Sequence, residues 1–151
     1  MRHAIIVLAT AVLLSACQTT APPAVRTPAA GTPAALQLAA SIDAYKALVA
    51  QQIMAANGEY TFSGRLPPML PAIVVLDLSV GPDGELKSVR VHRSRDSDAS
   101  AVALAAVRRV PVFFPPAGHL MHRHAKTFDF SETFLFNDQY RFQLRTLSGP
   151  Q

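Results

Sequence analysis

The segment Ala72–Arg93 constrains the fold of this chain more than any other part of the sequence. In its first half, Ala72–Val80, one side carries only apolar residues, and the other side carries Ile73 and Val75 followed by Asp77 and Ser79. This two-residue period predicts a strand with one buried face and a second face that is partly covered. Gly81-Pro82-Asp83-Gly84 follows, and its two glycines suit a tight turn. A return strand is predicted over Glu85–Arg93, with a β-bulge near Lys87-Ser88 where the alternation breaks. The sequence therefore predicts an antiparallel hairpin.

Two segments have the periodicity of amphipathic helices. Apolar residues recur at steps of three and four over Leu36–Ala56, and Asn57-Gly58 is expected to end this helix in a left-handed cap. A second helix is predicted over Asp96–Val110, with Ser97 or Asp98 as its N-cap. The hairpin and these helices indicate an α+β domain over residues 36–148.

The last part of the predicted domain follows a proline-rich connector, residues 111–116. Lys126–Phe136 is predicted to be the third strand, which gives a three-stranded antiparallel sheet packed against two helices. Tyr140–Leu147 is either a short fourth strand or a terminal helix. The phenylalanines of this region are interpreted as core rather than as a ligand-stacking surface, because large aromatic residues supply much of a small core. They are Phe113, Phe114, Phe128, Phe130, Phe134 and Phe136.

The N-terminus has the pattern of an export signal. An apolar stretch, Ala4–Leu14, follows Arg2 and ends in Leu14-Ser15-Ala16-Cys17, and it is shorter than the roughly 20 residues that span a bilayer. The last four residues resemble the lipobox of bacterial lipoproteins. This resemblance implies a signal peptide over residues 1–16 and lipidation of Cys17, the single cysteine of the chain. An ordinary secretory signal is the alternative.

Residues 17–35 are interpreted as a lipidated cysteine and a tether, because proline, alanine and threonine dominate and leave too little apolar surface for a core. Glutamine at position 18, where inner-membrane lipoproteins carry aspartate, implies the outer membrane and its periplasmic face. The net charge of +4 comes from scattered basic residues. Nucleic-acid binding usually needs a clustered basic face, so we expect no nucleic-acid partner.

The order helix, strand, turn, strand, helix, connector, strand resembles the C-terminal domain of TonB and the related domain of TolA. Features along Ser41–Phe136 support the resemblance. The first are the strand and turn over 74–84 and the return strand with Leu86, Val89 and Val91. The others are the alanine-rich helix after Ser94, the aromatic-proline connector Phe113-Phe114-Pro115-Pro116 and the segment Phe128-Asp129-Phe130. It implies a protein-binding module that captures an envelope protein or peptide by strand addition. Because a lipid anchor replaces the membrane-spanning helix of those transducers, we expect no energy transduction.

The predicted third strand is the candidate binding edge, because an edge strand offers unpaired N–H and C=O groups. The predicted partner-binding residues are Lys126, Thr127, Phe128, Asp129, Phe130 and Ser131. Two alternatives would cover this edge: the segment Tyr140–Leu147 folding back, or an identical subunit in a homodimer.

No nucleophile, phosphate loop or dinucleotide motif is recognisable, so we expect neither an enzyme nor a cofactor. The alternative function is metal binding by His119, His122 and His124, with Asp129 or Glu132 completing the ligand shell. His92 is interpreted as a surface residue.

Overall fold

The computed structural model describes residues 39–111 and 113–149. The predicted signal peptide, the lipidation site Cys17 and the tether lie outside these residues, as does the predicted helix start at Leu36. Six main elements follow one another: α1 (Ile42–Ala56), β1 (Ala72–Val80), β2 (Leu86–Arg93), α2 (Ser97–Arg108), β3 (Phe128–Phe136) and β4 (Phe142–Leu144). Short 3₁₀ turns lie at Gly58–Tyr60, Gly118–Leu120 and Arg145–Leu147. Among the described residues, no helix has the length and hydropathy of a membrane-spanning segment.

The sheet is antiparallel throughout, in the order β2-β1-β3-β4. The α+β class and the two helices are confirmed, but the prediction of three strands is wrong, because the tail forms β4. Asn137 reverses the chain after β3: its carboxamide oxygen accepts the N–H groups of Gln139 and Arg141. Of the two alternatives for Tyr140–Leu147, a short fourth strand and a terminal helix, the structure has the strand. Three residues are too few for the alternation to predict a strand with any specificity.

The two faces of the sheet differ in cover. Both helices pack on one face, and the even-numbered residues of β1 point into the core that they form. These residues, Val74, Leu76, Leu78 and Val80, are fully buried. The odd-numbered residues Ile73, Val75, Asp77 and Ser79 lie on the other face and keep contact with solvent. β1 therefore fixes which side of the sheet is the core, as its alternation predicts.

The helix starts are set by polar caps. The hydroxyl of Ser41 accepts the N–H of Ala44, so α1 begins at Ile42. The N-cap of α2 is Asp96, not Ser97 or Asp98, and its carboxylate accepts the N–H of Ala99 at 2.8 Å. This hydrogen bond, supported by a second from Tyr140, lowers the pKa of Asp96.

The predicted left-handed cap at Asn57 is wrong. Asn57 has φ of −130°, and its buried side chain donates to the carbonyl oxygens of Ile53 and Ala106. Its oxygen in turn accepts from Arg109 at 3.1 Å. Asn57 therefore joins the end of α1 to the end of α2, and the polar contacts inside the core replace the cap geometry that an isolated helix would use.

The hairpin turn docks on the connector that follows α2. Gly84 has φ of +94°, and its carbonyl accepts the N–H of Phe114 at 2.9 Å. A Cβ at Gly84 would lie 1.9 Å from the carbonyl oxygen of Phe114, so only glycine fits here.

The register of β1 and β2 shifts between Ser79 and Val80 and leaves Lys87 unpaired, which confirms the predicted bulge.

Candidate protein-binding surfaces

β3 is not the outermost strand of the sheet. It lies between β1 and β4, so the prediction that it forms the sheet edge is wrong along Phe134–Phe136, where β4 pairs with it. The alternative that the tail folds back over β3 holds for these residues. The strand begins at Phe128, so Lys126 and Thr127 precede it. From Phe128 to Thr133, no strand of the described residues pairs with the outer side of β3.

Backbone direction limits what this open part of β3 can offer. The N–H of Asn137 bonds to Arg141 in the β4 hairpin, and the N–H of Thr133 bonds to a side chain rather than to β1. Because backbone groups alternate in direction along a strand, the odd-numbered residues face outward and the even-numbered residues face β1. Of the predicted partner-binding residues within the strand, only Asp129 and Ser131 therefore present backbone groups at the edge.

Glu132 closes the far end of that open part. Its side chain is only 2% exposed, and its Oε1 accepts the N–H groups of Thr133 at 2.9 Å and Thr146 at 3.4 Å. Its Oε2 has no hydrogen-bond partner among the described residues. The carboxylate thus occupies the place where β4 would otherwise continue its pairing, and an inward-pointing charge is one way in which sheets end an edge.

The side chains of Phe128 and Phe130 belong to the core. Both rings meet the ring of Tyr45 edge to face, with centroids 5.3 and 5.8 Å apart. Tyr45 is fully buried, and burial raises its pKa to about 12. The core interpretation of the aromatic residues is confirmed for this group, whereas Phe113 is 61% exposed. Phe128 is buried, and Phe130 is half-buried against the core.

β2 is an outermost strand over its whole length of eight residues. Since the even-numbered residues of β1 bond to β3, its odd-numbered residues bond to β2, and Asp77 pairs with Arg90. Alternation then turns the backbone groups of Val89 and Val91 outward. Among the described residues no strand pairs with this side. β2 carries several basic side chains, so its free edge lies in a positively charged setting.

A polar cluster crosses three strands on the face without helices. Asp77 accepts from Ser131 at 2.8 Å through one carboxylate oxygen, and its other oxygen bonds to Arg90 at 3.1 Å and to His92 Nδ1 at 3.2 Å. The Ser131 hydrogen bond, followed by those of His92 and Arg90, lowers the pKa of Asp77. Serine, histidine and aspartate also form hydrolytic triads, but there histidine contacts the serine. Here Asp77 lies between them, and no described histidine contacts Ser131, so the arrangement differs from such a triad.

A groove lies on the same face, at the Ala72 end of β1. Leu70 and Ile73 are shared by two adjoining depressions of about 580 and 680 Å³. Arg93 and Arg95 line the first of them, and Arg65 lines the second. Sequence reasoning missed this groove because the loop before β1 has no periodicity, and only the fold brings Arg65 to a depression that adjoins the one lined by Arg93 and Arg95.

The histidines do not form the predicted metal site. His119 donates from Nε2 to the carbonyl of Ala39 at 2.6 Å, and His124 lies in the left-handed region with φ of 74°. Across the described part of the chain, no three histidine, cysteine or acidic residues are grouped as metal ligands, so His119, His122 and His124 are not brought together with Asp129 or Glu132. His92 is exposed, as predicted.

Comparison of the sequence with models of known protein families found no match, and comparisons with curated proteins and with solved structures found none either.

Proposed function

We propose that this protein is an envelope lipoprotein whose folded domain binds a segment of another protein by strand addition. In this proposal Cys17 carries the lipid, the domain is of the TonB C-terminal type, and no energy transduction takes place in the chain itself. The order of helices, hairpin, connector and third strand in the structure is compatible with that resemblance. A short tether between the lipid and the domain suits a protein that holds its partner near a membrane.

The observation that supports strand addition best is the free outer edge of β2. A strand that ends a sheet presents unpaired N–H and C=O groups, and an extended peptide satisfies them by pairing with it. β2 offers such an edge over eight residues. The open part of β3 offers outward backbone groups only at Asp129 and Ser131 before Glu132 interrupts it. We therefore propose β2 as the principal binding edge and Asp129–Ser131 as the secondary one.

Proline substitutions can test each edge without breaking the sheet. Val91→Pro removes an outward N–H while the bonds to β1 remain, and Asp129→Pro does the same on β3. Val91→Ala and Asp129→Ala are the matched controls, because they shorten the side chain and keep the N–H. Phe130→Pro is unsuitable, since the backbone of Phe130 faces β1.

The readout is photocrosslinking in intact cells, from a crosslinker placed at Ser88, to identify what lies beside β2. We expect the crosslinked product to be lost in Val91→Pro and kept in Val91→Ala and Asp129→Pro. Products that join two copies of this chain would identify an identical subunit as the added strand. Equal crosslinking in a well-folded Val91→Pro variant would refute strand addition at β2.

The anchor is tested separately. We expect Cys17→Ser to abolish labelling by radioactive palmitate and to release the protein from the membrane fraction. Gln18→Asp should move the protein from the outer-membrane to the inner-membrane fraction. A protein that remains unlabelled in its native form contradicts the lipoprotein assignment and leaves the binding test unaffected.

A further inference from the structure

We propose that the groove at the Ala72 end of β1 binds an extended segment of another protein that carries both carboxylates and apolar side chains. The inference concerns the open face of the sheet, and the groove shares only Arg93 with β2. It rests on three features of the groove: an apolar floor, a rim of arginines without an ion-pair partner among the described residues, and a stretch of β1 that pairs with β3 but lies beyond the end of β2.

The floor is apolar and accessible. Ile73 is 49% exposed although it belongs to a central strand, and Met69 in the preceding loop is 83% exposed. Met69 is outside the lining, whereas its neighbours Pro68 and Leu70 line the groove together with Ile73. Exposed apolar groups that adjoin one another and are bordered by polar residues are typical of interaction sites. Water covers this floor in the isolated domain, so an apolar side chain placed there would gain from its burial.

The rim carries positive charge that nothing in the described chain neutralises. Arg65, Arg93 and Arg95 are exposed, and none of them forms an ion pair or a side-chain hydrogen bond with a described residue. Asp96 is the one acidic residue of the lining, and its carboxylate already accepts from Ala99 and Tyr140. The planar guanidinium binds a carboxylate through two parallel hydrogen bonds, so these arginines fit an acidic segment.

The backbone beside the groove is also free. β2 ends at Arg93, which pairs with Val75, so Ala72–Val74 extends past it. By the alternation along β1, the N–H and C=O of Ile73 face that side, where no strand of the described residues lies. An extended segment in the groove would therefore find backbone partners next to the apolar floor.

A membrane surface is the other occupant that basic and apolar residues can suit. The groove is a depression that is lined on one side by the loop before β1 and on the other by Arg93–Asp96, and Ile73 belongs to both of its parts. A bilayer cannot follow such a surface, whereas a peptide can enter it. We therefore assign the groove to a peptide, and the experiment includes vesicles as the competing occupant.

The test uses the full chain in detergent and fluorescence anisotropy. The probe is a short fluorescein-labelled peptide of leucine, aspartate and serine, and a version with lysine in place of aspartate is the control peptide. We expect the acidic peptide to bind and the lysine peptide not to bind. The double variant Arg93→Glu/Arg95→Glu should weaken binding at least about tenfold, and Ile73→Ser should weaken it severalfold.

Arg123→Glu/Arg145→Glu is the matched control, because it changes the net charge equally at exposed arginines outside the groove lining. We expect it to alter binding less than about twofold at physiological salt, where distant charges are screened. Equal weakening by both double variants, or equal binding of the lysine peptide, would overturn the proposal. So would groove variants that reduce co-sedimentation with phosphatidylglycerol vesicles and leave peptide binding unchanged. Val91→Pro should not affect the peptide, which keeps this test distinct from strand addition.

Discussion

The two faces of this sheet are built from the same strands and have opposite chemistry. On the covered face, Leu76 is fully buried under the helices. On the open face, its neighbour Asp77 holds a network of polar side chains from three strands. One side of β1 thus supplies the stability of the domain, and the other side keeps polar and charged groups in reach of solvent. The difference shows that alternating positions of one strand can supply the core on one side and a solvent-exposed polar surface on the other.

The largest expected effect separates the two faces directly. Leu76→Ala should lower the free energy of unfolding by about 3 kcal/mol or more, because it leaves a cavity among fully packed residues. Ile73→Ala, on the open face of the same strand, should cost less than about 1 kcal/mol. Urea unfolding of both variants measures the contrast. Similar losses would mean that the open face is covered in solution, for example by a second copy of the chain.

Glu132 is the exception to the comparison, because it places a carboxylate on the covered face. Glu132→Ala should cost about 2 kcal/mol, since the N–H groups of Thr133 and Thr146 lose their acceptor. Glu132→Gln keeps an acceptor oxygen and should cost less than half as much. Thermal unfolding of the two variants at neutral pH shows whether the acceptor oxygen or the negative charge of Glu132 stabilises the fold. If the glutamine variant is as unstable as the alanine variant, the charge matters rather than the acceptor.

The Asp77 network predicts a pH dependence that belongs to the open face. The pKa of Asp77 is lowered in the folded protein, so its contribution to stability is present above the pKa of the unfolded chain. It is lost as pH falls through the folded pKa. Asp77→Asn should therefore reduce the melting temperature at neutral pH and approach the wild-type value in acid. Asp129→Asn is the control on the same face, because Asp129 makes no hydrogen bond to a described side chain. This substitution should change the melting temperature little at any pH.

The smallest effect at neutral pH is expected on the covered face, at Tyr45. Its hydroxyl has no partner among the described residues, so Tyr45→Phe should change stability very little there. Burial raises the pKa of Tyr45 from 10.0 to about 12, so the folded state favours the neutral phenol. The stability that depends on this neutral form is fully present below pH 10 and is lost as pH rises toward 12. The wild type should lose stability over that interval more steeply than Tyr45→Phe does. Parallel curves in alkaline titrations followed by circular dichroism would contradict the assigned burial.

The sequence predicted those parts of the fold that depend on local periodicity. β1 begins and ends as its alternation indicates, and the bulge at Lys87 follows from a break in that alternation. The sequence does not distinguish a strand from a helix at β4, because three residues are too few to show a period. The predicted N-cap, Ser97 or Asp98, is one or two residues from the observed Asp96, because all three side chains of this run can accept an N–H.

The surfaces were harder to predict than the fold, because they join residues far apart in the chain. The position of β3 within the sheet depends on where the tail folds, and no local pattern encodes this. In the sequence Glu132 interrupts the phenylalanines of the third strand and is a candidate metal ligand, and only the tertiary structure reveals it as a buried acceptor. Arg65 and Arg95 line adjoining parts of one groove although 30 positions separate them, which the spacing along the chain does not indicate.

The hydrogen bond from His119 to Ala39 determines where the preceding chain joins the domain. The turn that carries His119 also bonds to Pro82 through Gly118, so Ala39 lies near the Val80 end of β1. The arginine-rimmed groove lies at the Ala72 end, and a strand of nine residues extends roughly 26 Å. The domain therefore has two poles. Ala39 marks one of these poles and the groove the other, so a substitution at the start of the described chain and a substitution in the groove can be made independently of each other.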